Sequence, residues 1–69
     1  MDEFNLEGKG FIELNNLLKA MGLCNSGGLA KKVIAEGHVK VDGHVELRRR
    51  CKISTGQSIE FEGRKISVK

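Results

Sequence analysis

The run SGGLAKKVIAEGHVKVDG, residues 26–43, switches its apolar period from helical to extended partway along. Leu29, Ala30, Val33 and Ile34 recur at helical spacing, which gives a helix one apolar face. Asn25 or Ser26 supplies an N-cap, its side-chain oxygen accepting an orphan backbone N–H, and Gly37 stands where a left-handed residue closes a helix. Val39 and Val41 then alternate with polar neighbours up to Asp42-Gly43, a pair suited to the two positive φ angles of a type I′ turn, and Val45 and Leu47 follow. The spacing predicts a helix leading into a hairpin, whose register has more than one solution. A two-residue turn sets Val41 opposite His44 and Val39 opposite Glu46, sending Val45 and Leu47 to the other face. A three-residue loop or a bulge reunites the apolar side chains on one face.

Upstream, Phe4 and Leu6 alternate with polar residues, "EGKG" at 7–10 offers a reversal, and Ile12 and Leu14 alternate again, so an opening hairpin is expected. Phe11, Leu14, Leu18 and Met21 also share one helical face. Asn15 favours the shorter helix, about 16–21, since it is a good N-cap before "NLLKAM" and Gly22 can close the last turn. Downstream, "SIEFEGRKISVK" alternates Ile59 and Phe61, then Ile66 and Val68, around a four-residue loop at 62–65 and predicts a closing hairpin.

With 69 residues the chain is expected to form one domain that buries roughly 60% of its unfolded surface, with little room for an enclosed substrate cavity. No apolar run approaches the roughly 18 residues of a membrane span, and "MDEFNLEGKG" lacks the basic-then-apolar pattern of a secretory signal, so a cytoplasmic location is expected. Cys24 and Cys51 stand apart and outside any C-x-x-C, which favours free thiols in a reduced compartment. His38, His44, Cys24 and Cys51 are not close-paired in the way a structural zinc site requires. There is no Gly-x-Ser-x-Gly elbow, no Walker lysine and no pair of carboxylates in an apolar setting. Neither catalysis nor a metal or other cofactor is expected.

The net charge of +3 is modest, but its distribution is not even. Residues 1–30 carry net −2 and residues 31–69 net +5; within 31–52, Lys31, Lys32, Lys40, Arg48, Arg49, Arg50 and Lys52 outnumber Glu36, Asp42 and Glu46 by four. That contiguous third is the footprint of a polyanion ligand. Lys32 and Glu36 form an i,i+4 pair in the weaker orientation, which does not account for the lysines. Gly27 and Gly28 each cost a helix roughly 0.8–1 kcal/mol relative to alanine. In compensation they leave bare N–H groups at the positive end of the helix dipole, where a phosphate oxygen can approach without meeting a β-carbon. In "RRRCK" the guanidinium forks suit phosphate oxygens, and three adjacent arginines converge only in a loop. Phe4, Phe11 and Phe61 all sit at positions the core pattern claims, so no stacking platform for bases is expected and recognition should rest on phosphates and shape.

The same residues carry a family likeness. Residues 26–43 resemble the alpha-L RNA-binding motif, the domain named after the fourth small-subunit ribosomal protein, with the pattern Ser-Arg-x-x-Ala-x-x-Leu-Ile-x-x-Gly-x-Val-x-Val-Asn-Gly. Ser26, Ala30, Ile34, Gly37, Val39, Val41 and Gly43 match, Val33 replaces leucine and Asp42 replaces asparagine. "KISTGQSIEF" is similar to the closing Gly-Asp-x-Ile strand, with Gln57 for aspartate, and the likeness spans about residues 12–62. Gly27 stands where an arginine that contacts phosphate is usual, and Glu46 where an apolar strand residue is common. The resemblance implies an α+β fold, a two-helix hairpin packed on a small mixed or antiparallel sheet, with structured or double-stranded RNA held across the second helix and the following hairpin. The contacts expected are Ser26, Gly27, Gly28, Lys31, Lys32, Lys40, Gly43, Arg48, Arg49, Arg50 and Lys52, in a monomer that works alone or within a larger ribonucleoprotein complex. A basic adaptor that binds protein within such a complex is the rival expectation.

Overall fold

The computed structural model describes residues 2–69. Its elements are β1 (Asp2–Phe4), β2 (Ile12–Glu13), α1 (Leu14–Ala20), α2 (Gly27–Ala35), β3 (Val39–Val41), β4 (His44–Val45), β5 (Lys52–Ile53), β6 (Ser58–Phe61) and β7 (Arg64–Val68). Five strands form a mixed sheet in the order β1-β7-β6-β3-β4, and β2 pairs antiparallel with β5 in a separate ladder. The two helices pack on each other, and Leu14, Leu17 and Leu18 of α1, with Ala30 and Ile34 of α2, have no exposed surface. They meet Val39, Ile53, Ile59, Ile66 and Val68 in one core.

Helix α2 starts and stops as its sequence predicts. Ser26 is the N-cap: its backbone is extended, and its Oγ accepts the Leu29 amide at 3.1 Å. At the other end Gly37 takes φ +81°, the Gly37 amide reaches Ile34 O, and the His38 amide reaches Val33 O. This pair of bonds satisfies the last carbonyls in a Schellman closure. Glu36 turns to His38, 3.5 Å from Nε2, and forms no ion pair with Lys32 among the described residues.

The β3–β4 hairpin has the two-residue solution. Asp42 and Gly43 both take positive φ, +51° and +85°, and the ladder pairs Val41 with His44 and Lys40 with Val45. Val39 and Val41 are buried, whereas Val45 and Leu47 are left 53% and 60% exposed. The closing hairpin uses the same chemistry. Glu62 and Gly63 take φ +51° and +76°, so its loop is two residues and not four, and pairing runs on to Phe61 and Arg64.

Two expectations fail upstream. No opening hairpin forms: the chain does reverse at Glu7-Gly8, but β1 lies parallel to β7, with Phe4 opposite Val68, while β2 pairs with β5. Alternation specifies which side chains are buried, not which strand lies alongside, and the apolar face of Ile66 and Val68 serves β1 as well as Ile12 would. Helix α1 begins at Leu14, earlier than Asn15 suggested, and its N-cap Glu13 makes no side-chain cap. Its first amides are satisfied from elsewhere: Leu14 N donates to Cys51 O at 2.9 Å and Asn15 N to Arg49 O at 3.0 Å. A seven-residue helix is too short to persist alone, so this strap and the burial of its leucines hold it.

Candidate nucleic-acid interface

That strap fixes the arginine run. Between β4 and β5 the chain leaves the sheet at Glu46, whose amide donates to Val39 O. The Glu46 carboxylate then receives three bonds from Arg48: the backbone N–H at 3.0 Å, Nε at 2.9 Å and Nη2 at 3.1 Å. This fork pulls the Glu46 carboxyl down to about 2 and raises the Arg48 guanidinium. The far end is tied to α1 through the carbonyls of Arg49 and Cys51. Backbone bonds at both ends thus hold a loop whose Arg49 and Arg50 side chains are exposed. Neither has a carboxylate within ion-pair distance among the described residues. Arg48, Arg49, Arg50 and Lys52 line one open depression together with Cys51.

The start of α2 is a second exposed feature. The amides of Gly27 and Gly28 belong to the first helical turn, where no intrahelical acceptor exists. A β-carbon on Gly28 would meet nothing nearer than Ser26 Oγ at 3.9 Å, and one on Gly27 nothing nearer than Lys19 Nζ at 3.8 Å. Close packing therefore does not require either glycine. Lys19 was not among the expected residues. It lies in the last turn of α1, and the short connection between the helices returns the chain so that its ammonium sits beside Gly27.

All eleven expected contact residues are exposed, but they do not share one depression. Arg48, Arg49, Arg50 and Lys52 do; Ser26, Gly27 and Gly28 cluster with Lys19. Lys31 is exposed on α2, while Lys32 lines another depression with Glu36, Glu62 and His38. Lys40 lies on the outer face of the sheet, paired with Val45 on one side and Glu60 on the other, and Gly43 is at the open tip of its turn. The expectation that all three phenylalanines are core residues is also corrected. Phe61 is buried and Phe4 partly so, but Phe11 is on the surface because β2 is only two residues long and Phe11 precedes it. Burial raises the pKa of both thiols, Cys24 in the core and Cys51 beneath Arg48. The described residues hold no group of three or more His, Cys, Asp or Glu suited to a metal, and no helix long and apolar enough to cross a membrane.

A serine-capped helix, a glycine closure and a two-residue hairpin turn ending in glycine occur here in the order and spacing of the motif, and residues 4–69 match the S4 domain family. The chain belongs to the S4 domain family. This S4 domain is 50% identical over 68 residues to YbcJ of Escherichia coli K12 and of Shigella flexneri, covering 99% of the chain and 97% of each relative. It superposes on the solution structure of E. coli YbcJ with a TM-score of 0.76, covering 99% of this chain and 86% of that one. That structure is described as revealing an alpha-L motif involved in RNA binding. The 30S ribosomal protein S4e of Thermoplasma acidophilum shares the fold, with a TM-score of 0.68 at 22% identity over 83% of this chain and 30% of that one.

Proposed function

We propose that this S4 domain is a non-catalytic RNA-binding module that acts in the cytoplasm as a monomer and grips structured RNA by its phosphate backbone and shape. The observation that carries the reading is the pinned arginine loop: Arg49 and Arg50 are exposed and free of carboxylate partners on a backbone tied to α1. The pinned backbone leaves only side-chain freedom to lose on meeting phosphate, and a planar guanidinium fork takes two phosphate oxygens at once. Lys52 extends the same depression. Lys31 and the Gly27 and Gly28 amides offer a second hold along α2. Arg48 has a different part: bound to Glu46, it shapes the loop from which its neighbours reach. The involvement of YbcJ's motif in RNA binding supports the same assignment.

The test is binding to a structured RNA over a range of salt. With about four phosphates neutralised, the logarithm of affinity falls with the logarithm of salt at a slope of roughly −3 to −4. A flat response removes the clamp. Capture from lysate with and without ribonuclease separates this reading from a protein adaptor, because only a direct protein contact survives loss of RNA.

A further inference from the structure

Among the described residues Phe11 is the one exposed aromatic ring, 44% accessible, and it stands outside the core cluster. A lone exposed apolar side chain carries no meaning by itself. What surrounds this ring does. Lys52 Nζ lies over it, 4.9 Å from the centroid, where a cation is drawn to the electron-rich face. Lys52 also lines the arginine depression, whereas Phe11 lines a neighbouring one of about 370 Å³ together with Asn5, Lys9 and Asn16. The Lys52–Phe11 contact is therefore the border between two depressions. One is walled by guanidinium and ammonium groups; the other offers a flat ring, two amides, the Lys9 ammonium and the Glu7 carboxylate.

A nucleotide divides in the same way, into an anionic phosphate and a flat base whose edge carries donors and acceptors. Building on the RNA-binding reading above, we infer that Phe11 is a stacking site for an unpaired base whose flanking phosphates lie against Arg49, Arg50 and Lys52. A base inside a helical stem has both faces covered, so the ligand is a structured RNA bearing a bulged, looped or terminal unpaired nucleotide beside its stem. The Asn16 amide can donate to and accept from a base edge, and the Asn5 amide, whose Oδ1 already accepts the Glu7 N–H at 2.7 Å, can donate to one. The platform is also well supported: the β2–β5 ladder, pairing Ile12 with Ile53 and Glu13 with Lys52, fixes the backbone next to Phe11 and at Lys52 itself.

The test uses the full chain and two RNAs that share one stem, the first fully paired and the second carrying a single bulged 2-aminopurine. The wild type prefers the bulged RNA and quenches its fluorescence. Phe11→Leu keeps apolar bulk at the position, and an unchanged melting curve establishes that it folds. It loses roughly tenfold or more on the bulged RNA, as expected for removal of a base-stacking ring, and little on the paired stem. Arg49→Ala weakens both. If Phe11→Leu binds and quenches like the wild type, or loses equally on both RNAs, the stacking inference is overturned and the RNA-binding reading stands. If the wild type binds neither RNA saturably, both fall.

Discussion

Gln57 Nε2 donates to Asp42 Oδ2 at 3.1 Å, so the two positions at which this chain departs from the motif's asparagine and aspartate touch each other. The exchange preserves one donor and one acceptor across the contact. It does more than join two side chains: Asp42 Oδ1 accepts the Ser58 amide at 2.9 Å, the Asp42 amide donates to Ser58 O, and Gln57 Oε1 accepts the Ser54 amide at 2.9 Å. The turn between β3 and β4 is thereby latched to the start of β6.

The latch makes a quantitative prediction. Asp42→Ala removes two hydrogen bonds and places alanine at positive φ, for a loss of about 2 kcal/mol in urea unfolding. Gln57→Ala removes three exposed side-chain bonds, to Asp42 and to the amide and hydroxyl of Ser54, but carries no positive-φ penalty and costs about 1 kcal/mol. Because each partner's loss is already contained in the other's, the double variant is less destabilised than the sum by about 0.5–1 kcal/mol. Strict additivity would show that the contact carries no energy.

Acid stability reads the Glu46–Arg48 fork. The Glu46 carboxyl lies at about 2 in the folded chain against an ordinary 4.5, so its stabilisation is complete above about pH 4.5 and is lost as pH falls toward 2. Asp42 is lowered too, first by the Ser58 N–H and then by Gln57, and loses its contribution below its own ordinary range. Arg48 is largely solvated, so solvent screening discounts what the fork adds to stability. Unfolding free energy should therefore fall between pH 4.5 and 2 in the wild type and fall less steeply in Glu46→Gln. Identical slopes in the two proteins would contradict the fork.

The parts of this molecule that were legible in the sequence are those whose signals are local. Ser26 caps three residues ahead, Gly37 closes the turn before it, and Asp42-Gly43 sets its own dihedral angles; each acts within a few positions. What was not legible depends on distant segments. The start of α1 is set by carbonyls of Cys51 and Arg49, and Phe4 finds its partner at Val68, near the other end of the chain. The site divides in the same way. Charge density singled out residues 48–50, but charge cannot tell that Arg48 is committed to Glu46 while Arg49 and Arg50 are not. Nor does spacing reveal that Lys19 comes to lie beside Gly27, or that a strand of two residues leaves Phe11 outside.

Salt dependence distinguishes a phosphate clamp from a structural arginine. Arg49→Ala and Arg50→Ala should each make the slope of log affinity against log salt shallower by about 0.7–0.9, the range between single strands and a B-form duplex. Lys65 offers a control on the outer sheet face, where it pairs with Glu60; Lys65→Ala should leave the slope unchanged. Equal changes in all three variants would mean that diffuse charge, and not the pinned loop, holds the RNA.

Gly28 allows stability and binding to be moved in opposite directions. Its φ is not positive and a β-carbon there meets only ordinary contact with Ser26 Oγ, so Gly28→Ala should raise unfolding stability by about 0.5 kcal/mol, mostly through reduced freedom of the unfolded chain. The added methyl group, however, stands beside the amides of the first turn of α2. If a phosphate oxygen approaches those amides, the variant melts higher and binds structured RNA several-fold more weakly, measured on one preparation by thermal unfolding and by titration. A gain in stability with unchanged affinity would take the start of α2 out of the interface and leave the arginine loop to act without it.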